Sequence, residues 1–186
     1  MPKVSEEHRQ ERRRQITDGA RHAFAEHGYA GATVEVLERA IGLSRGAIFS
    51  YFPTKLDLFV ALAEEDQRRL LELWLEGGHE AVIRHVVHDN PEWLGVYLDV
   101  ARMLRTDPEL RDRWRSLNPE GQAKLDRRYT ELVEAGLIRA DVPLETIGRF
   151  LGVLFDGLAV QQAAQFGEPI DADGTIELLR SALAPK

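Results

Sequence analysis

Three dipeptides mark where this chain must begin helices. Asn90-Pro91, Asp107-Pro108 and Asn118-Pro119 each place a capping side chain directly before a proline. Proline at the first helical position gives up an N–H that has no partner there, and its fixed φ suits a helix start. Between these marks apolar residues recur every three or four positions, the spacing of one helix face. The pattern predicts helices near 79–88, 91–105, 108–116, 119–135, 143–166 and 172–184. Upstream, Ile16, Ala20, Ala23 and Phe24 share a face of a helix from Glu6 to His27, which Gly28 can end. Thr33 caps a short helix through Val34, Leu37, Ala40 and Ile41, and Gly42 breaks it. Ser44 caps another through Tyr51, and Pro53 ends that one. Thr54 with Asp57 three residues on starts a long helix from Lys55 to about Leu75. No segment alternates β-branched and polar residues as a strand would, so the fold class is all-α.

Composition narrows the functional classes. The 186 residues are 44% hydrophobic and 30% charged, enough to bury a core without staples. There is no cysteine, which removes disulfides, zinc–thiolate sites and a thiol nucleophile together. No apolar run approaches the roughly 20 residues of a membrane span. The charged start (Lys3, Glu6, Glu7, Arg9) lacks the apolar stretch of a secretion signal. A soluble, cytoplasmic protein without a membrane partner is expected. The net charge of −7 is unevenly spread: residues 1–55 carry +2 and the remainder −9. The N-terminal part is the half suited to a polyanion.

Catalytic patterns are missing. There is no phosphate-binding glycine loop after a strand, no His-Glu-x-x-His and no serine elbow. His85 and His88 lie three apart on one helix, a spacing that fits a shared metal and equally a half-exposed polar face. Asp156 sits inside the apolar stretch LGVLFDGLAV, where a carboxylate is either a ligand site or the partner of a neighbouring arginine. Nothing assembles a nucleophile, a base and an orienting group, so no enzyme is expected.

The strongest local signal is TVEVLERAIGLSRGAIFSYFPTK, residues 33–55. Two short helices joined by a glycine-containing turn make a helix-turn-helix. Leu37, Ala40, Leu43 and Ile48 supply its small interior. The second helix shows Ser44, Arg45, Gly46, Ala47, Ser50 and Tyr51. Small residues let a backbone approach a groove, and an arginine can meet a guanine edge with two hydrogen bonds. Thr33, Tyr51 and Lys55 are placed to hold phosphates and so fix register. The partner this predicts is double-stranded DNA.

This segment resembles the DNA-binding domain of TetR-family transcriptional regulators. The resemblance rests on Thr33, Ile41-Gly42, Ser44, Gly46, Phe49-Ser50-Tyr51-Phe52 and Lys55, and it covers about residues 10–60. Phe49 stands where tyrosine is more usual, and Glu35 stands where many members carry a basic or polar residue. A glutamate facing the duplex repels phosphate or selects a cytosine amino group. Within the family the chain is similar to the actinobacterial aconitase-repressor type, through MPKVSE, GARHAFAEHGYAGATV, SRGAIF, LFVALAEED, LRTDP and DVPLE. Ser50-Tyr51 replaces a His-His of the nearer relatives. The resemblance implies an N-terminal helix-turn-helix domain over residues 1–55 and a helical effector-binding and dimerisation domain over 56–186. It implies a repressor that binds a palindromic operator as a homodimer and is released by a small-molecule effector.

The effector site is expected among the helices at 79–88, 91–105, 119–135 and 143–166. Candidate lining residues are His85, Trp93, Tyr97, Asp99, Arg102, Arg128, Asp156 and Gln161. Two chemistries stand side by side. The subgroup resemblance implies a carboxylate effector such as citrate, paired with Arg102, Arg127 or Arg128. A divalent cation such as Mg would then be held by Asp99, Asp156 or His85, and no cofactor is otherwise required. Alternatively a mainly apolar effector rests on Trp93, Tyr97, Phe150 and Phe155. An all-α interaction adaptor that never meets DNA is the rival from another class.

Overall fold

The computed structural model describes residues 6–89, 94–115, 118–165 and 167–186. All of its elements among those residues are helical: α1 (Glu6–Gly31), α2 (Val34–Ile41), α3 (Arg45–Phe49), α4 (Lys55–Arg84), α5 (Leu94–Thr106), α6 (Pro108–Arg115), α7 (Pro119–Glu134), α8 (Leu144–Ala164) and α9 (Ala172–Leu183). One π-helical turn, His85–Asp89, continues α4.

The caps are the residues the sequence nominates. Thr33 accepts from the Val36 N–H and Ser44 from the Ala47 N–H, both at a long 3.4 Å. Thr54 and Asp57 form a reciprocal capping box at the start of α4. Asp107 accepts from Leu110 and Asn118 from Gly121, each at 3.0 Å. Asn90-Pro91 lies outside the described residues. Gly42 ends α2 with φ 75°, a left-handed turn that suits a residue without Cβ.

Two of the elements are each a pair of helices joined at a glycine. Gly28 leaves the helical region at φ 67°, ψ 173°, so it ends the first helix as the sequence predicts, and a further turn runs on to Gly31. Gly78 does the same within α4 at φ 64°, ψ −161°, and a second helix follows it to Arg84.

Two cores result. The first gathers Ile16, Ala20, Phe24, Leu37, Ile41, Ile48, Phe52, Leu58, Phe59 and Leu62, with Val100 from α5 joining it. The second holds Leu71, Trp74, Val82, Ile83, Tyr129, Ile147, Leu151, Leu158, Ile176 and Leu179. Helix α4 therefore serves both: its first two turns close the N-terminal core, and its later turns wall the C-terminal one. No helix among the described residues is long and apolar enough to cross a membrane.

Candidate nucleic-acid interface and effector cavity

The recognition helix α3 is five residues long and held by its neighbours rather than by its own length. Ile48 is fully buried and anchors it. Glu38 of α2 accepts from the Arg45 backbone N–H at 2.6 Å, which satisfies a first-turn donor and locks α3 onto α2. Gln15 of α1 donates to the Ile41 carbonyl at 3.0 Å and braces the turn from behind. The outer face is then clear. Ser44, Arg45, Gly46 and Ser50 are exposed, with Ala47 and Tyr51 half-buried. Nothing lies within 4 Å of where a Gly46 Cβ would be, so this face is open to a groove. The Arg45 guanidinium lies 5.9 Å from the Phe49 ring centre, on the exposed face and close enough to Glu35 for its charge to act on that carboxyl. Ser50 Oγ donates to the Ala47 carbonyl at 2.7 Å. Thr33 is exposed at the start of α2, and the neighbouring Glu35 carboxyl is held below its ordinary range by its own backbone N–H and by Thr33.

Lys55 occupies a different position from the one its spacing suggests. Its Nζ donates to the Tyr29 carbonyl at 2.8 Å and the Ala32 carbonyl at 3.3 Å. It also sits 4.4 Å from the Tyr29 ring centre, and burial lowers its pKa. The ammonium ties the end of α1 to the start of α4, leaving one N–H for any outside group.

Asp99, expected to line the effector site, also sits at this joint. Its Oδ2 accepts from the Tyr29 backbone N–H at 2.6 Å, linking α5 to the end of α1. A Cβ on Gly28 would lie 2.7 Å from that oxygen, so the positive-φ bend and the missing side chain together admit the carboxylate. Tyr29 itself stacks on Phe24 and meets Phe59 edge-on. A second strut joins Arg113 of α6 to Asp57 at 2.8 Å. These are the contacts by which the C-terminal helices hold the helix-turn-helix.

The C-terminal helices line a half-open cavity of about 410 Å³ between α4, α6, α7 and α8. Its walls are mostly apolar and aromatic: Leu70, Leu71, Trp74, Val82, Val86, Trp114, Leu125, Tyr129 and Phe155. Gln67, Arg115, Asn118, Gln122 and Asp156 supply its polar groups. Such a lining is typical of small-molecule sites. Behind the aromatic wall His79 Nε2 and Tyr129 Oη lie 2.6 Å apart. Burial depresses the His79 imidazole to about 4 and raises the Tyr129 phenol well above its usual range. Both groups are therefore neutral near pH 7. Burial also raises the Asp156 carboxyl.

Of the sequence candidates for this site, Asp156 alone among the described side chains lines the cavity. Arg128 lies on the outer face of α7 and pairs with Glu131 at 3.1 Å. Arg102 and Gln161 are exposed. His85 is spent on Asp89, with its Nδ1 2.6 Å from that carboxylate. Trp93 lies outside the described residues, as does the side chain of Tyr97. Phe155 is in the wall, whereas Phe150 is 47% exposed on the other side of α8. No three His, Asp or Glu side chains among the described residues come together as a metal site. Of the three residues expected to offer a cation ligand, His85 pairs with Asp89, Asp99 accepts from the Tyr29 N–H and Asp156 lines the cavity. Trp74 and Gln67 are not among the sequence candidates, because the helix from Lys55 to about Leu75 lies outside the helices expected to form the site. Their signal was present: Gln67, Leu70, Leu71 and Trp74 recur at i, i+3, i+4 and i+7, a stripe that faces something.

Fold and site together define a helix-turn-helix regulator, and comparison with known proteins agrees. Residues 16–62 match the model of bacterial regulatory proteins of the tetR family. Residues 80–185 match the C-terminal domain of BetI-type transcriptional repressors. The chain belongs to the TetR family of transcriptional regulators; it is not an enzyme. It is 43% identical over 166 residues to the HTH-type transcriptional repressor Rv1474c of Mycobacterium tuberculosis, covering 88% of this chain and 89% of that one. It is 38% identical over 189 residues to the HTH-type transcriptional repressor AcnR of Corynebacterium diphtheriae, covering 98% and 97%. Among solved structures, Salmonella enterica GusR superposes with a TM-score of 0.74 at 22% identity, covering 97% of this chain and 98% of that one. FadR of Bacillus subtilis, solved with stearoyl-CoA, gives 0.67 at 21%, covering 91% and 98%. At those identities the likeness is one of fold.

Proposed function

We propose that this chain is a repressor that binds a palindromic operator as a homodimer and lets go when a small molecule fills the cavity. The observation that carries the reading is the joint at Tyr29. One residue receives α5 through its N–H and α4 through its carbonyl, so a shift of α4, which walls the cavity, or of α5, which packs on α8, would carry the N-terminal helices with it. Two recognition helices must sit about 34–36 Å apart to enter successive major grooves. An effector releases DNA only by favouring a dimer with a different spacing.

Exposed apolar side chains support the dimer. Val153 of α8 and Leu178 of α9 are 70% and 74% exposed, and Phe150, three residues before Val153 on α8, is 47% exposed. Paired with a second copy they would form an isologous four-helix contact. On the DNA side Arg45 reads a base, Ser44, Gly46, Ala47 and Ser50 permit close approach, and Thr33 and Tyr51 hold phosphate. Lys55 contributes chiefly by fixing α1 against α4. A repressor of chromosomal operators works in the cytoplasm.

A mobility-shift titration on the gene's own promoter tests this. Retardation that weakens steeply with salt supports it. No retardation of any upstream DNA at low salt favours the adaptor instead.

A further inference from the structure

Helix α1 begins well before the core it serves. Its first buried residue is Ile16, and Ile16, Ala20, Ala23 and Phe24 form the stripe that packs into the N-terminal core. Upstream the same stripe continues as Arg9, Arg12 and Arg13, which precede Ile16 by seven, four and three residues. A face that is apolar over the core turns basic where α1 outruns it. Glu7 and Glu11 each stand two residues from Arg9, about 200° around the helix and so on its far side. Arg14 shares that far side and pairs with Glu11 at 3.8 Å. Glu6, in the first turn, borders the stripe.

Two of the three arginines are tied to the helix-turn-helix. The Arg13 guanidinium lies over the Phe52 ring, 4.5 Å from its centre, and Phe52 directly follows Tyr51. The charge of Arg13 also acts on Glu65 of α4. Arg12 donates to Gln15 Oε1 at 2.9 Å, and Gln15 donates to the Ile41 carbonyl at the turn between α2 and α3. Gly19 lets α1 press on that turn, since a Cβ there would lie 2.8 Å from Ile41 Cα. The stripe therefore emerges at the edge of the helix-turn-helix, between the turn that enters α3 and the residues that leave it. Arg9 stands one turn further out, about 6 Å beyond Arg13 along the axis. It is exposed and forms no ion pair among the described residues.

We infer that the arginine stripe at the free end of α1, Arg9 foremost, holds the phosphate backbone of the DNA beside the bases that α3 reads. This rests on the regulator reading above and extends its DNA contact beyond the helix-turn-helix. A guanidinium takes a phosphate with two parallel hydrogen bonds. Such a contact carries no base information; it fixes the register in which Arg45 meets its base. The stripe spans about 6 Å, and phosphates succeed one another about every 3.4 Å of axis on one strand, so it has room for about two. Arg13 is the positioning residue: stacked on Phe52, it sets the direction in which α1 leaves the core.

Arg9→Gln and Arg14→Gln decide it, because each removes one positive charge from the same segment, on opposite faces. Fluorescence anisotropy reads the full-length protein on its own promoter and on a random duplex, across a series of salt concentrations. Arg9→Gln should lower the salt slope by about 0.9 for each copy bound. Its affinity should fall by the same factor on both duplexes, since no base is read. Arg14→Gln should keep the parent's slope and affinity. Both variants should melt with the parent by circular dichroism, since neither side chain is buried. Equal behaviour of the two variants, whether both keep the parent slope or both lose it, would overturn the inference. So would an Arg9→Gln loss confined to the promoter. The parent's own titration reads the regulator function separately. Promoter binding with an unchanged Arg9→Gln sinks the α1 contact alone, and a parent that binds no duplex at low salt removes both readings.

Discussion

Asp99 of α5 accepts the backbone N–H of Tyr29 at 2.6 Å, across 70 residues of sequence, and Gly28 leaves the space in which it does so. A carboxylate on a backbone donor is a charge-assisted bond, among the stronger kinds available to a protein. It joins the N-terminal core to α5, which packs against α8 of the cavity wall.

Removing it should show in stability. Asp99→Ala leaves a partly buried N–H without an acceptor and should cost about 1–3 kcal/mol in urea unfolding. Gly28→Ala should cost at least as much, because φ is +67° and the new Cβ would meet Asp99 Oδ2 at 2.7 Å. In the double variant the collision is gone and only the dihedral strain remains. The two costs should therefore fall short of adding. Full additivity would mean that the two residues do not touch in solution.

Lys55 and Arg45 should separate cleanly. Arg45 is exposed, so Arg45→Ala should leave unfolding within about 0.5 kcal/mol of the parent. It should cost about 1–3 kcal/mol of operator binding and relax preference at one base position. Lys55→Ala removes two hydrogen bonds to carbonyls, so its main effect should be on thermal stability. Any loss of DNA affinity should be alike for all sequences. An unchanged melting temperature for Lys55→Ala would return that lysine to the phosphate role its spacing suggested.

His79 predicts an acid limb. Its imidazole is depressed to about 4 from an ordinary 6.5. Between those values the unfolded chain takes a proton that the folded chain refuses. Its contribution is thus complete above about pH 6.5 and is lost as pH falls toward 4, amounting to roughly 3 kcal/mol. Asp57 is held low, first by Thr54, so it loses its contribution further down, below the ordinary carboxylate range. His79→Gln should flatten the stability profile between pH 6.5 and 4.5 by about one proton. An unaltered slope in that window would assign the acid sensitivity elsewhere.

The helical class, the caps and the recognition helix were legible because each depends on neighbours in sequence. Thr33, Ser44, Thr54-Asp57, Asp107 and Asn118 act on N–H groups three residues away, and a reader of the chain can count to three. The surroundings of Asp99, Lys55 and Arg128 were not legible, for the opposite reason. Their partners are set by packing: Tyr29 reaches Asp99 only because Gly28 bends α1 toward α5. Arg128 looked like a cavity cation because its helix does line the cavity, through Gln122, Leu125 and Tyr129. One residue of rotation along a helix, about 100°, moves a side chain from that wall to the surface. Asp156 was visible as an ionisable group in an apolar run, but whether it had a partner could be learned only from the neighbouring helices.

The last prediction concerns the second copy. On α8, Ile147, Leu151, Leu158 and Ala159 are buried in the monomer, which accounts for one face of the helix. Val153 is 70% exposed on another face, and Leu178 of α9 is 74% exposed. Isolated exposed apolar residues are ordinary, but here they lie on the two helices that end the chain. Val153→Glu and Leu178→Glu place a charge where a partner's apolar side chain would sit, and a desolvated, unpaired charge costs several kcal/mol. Neither position contributes to the monomer's core, so circular dichroism should be unchanged. Light scattering at micromolar concentration should then report a dimer for the parent and a monomer for the double variant. Operator affinity should fall together with the dimer, since one recognition helix alone reads half a palindrome. A parent that scatters as a monomer would refute the dimer. A double variant that remains dimeric would move the interface to other residues.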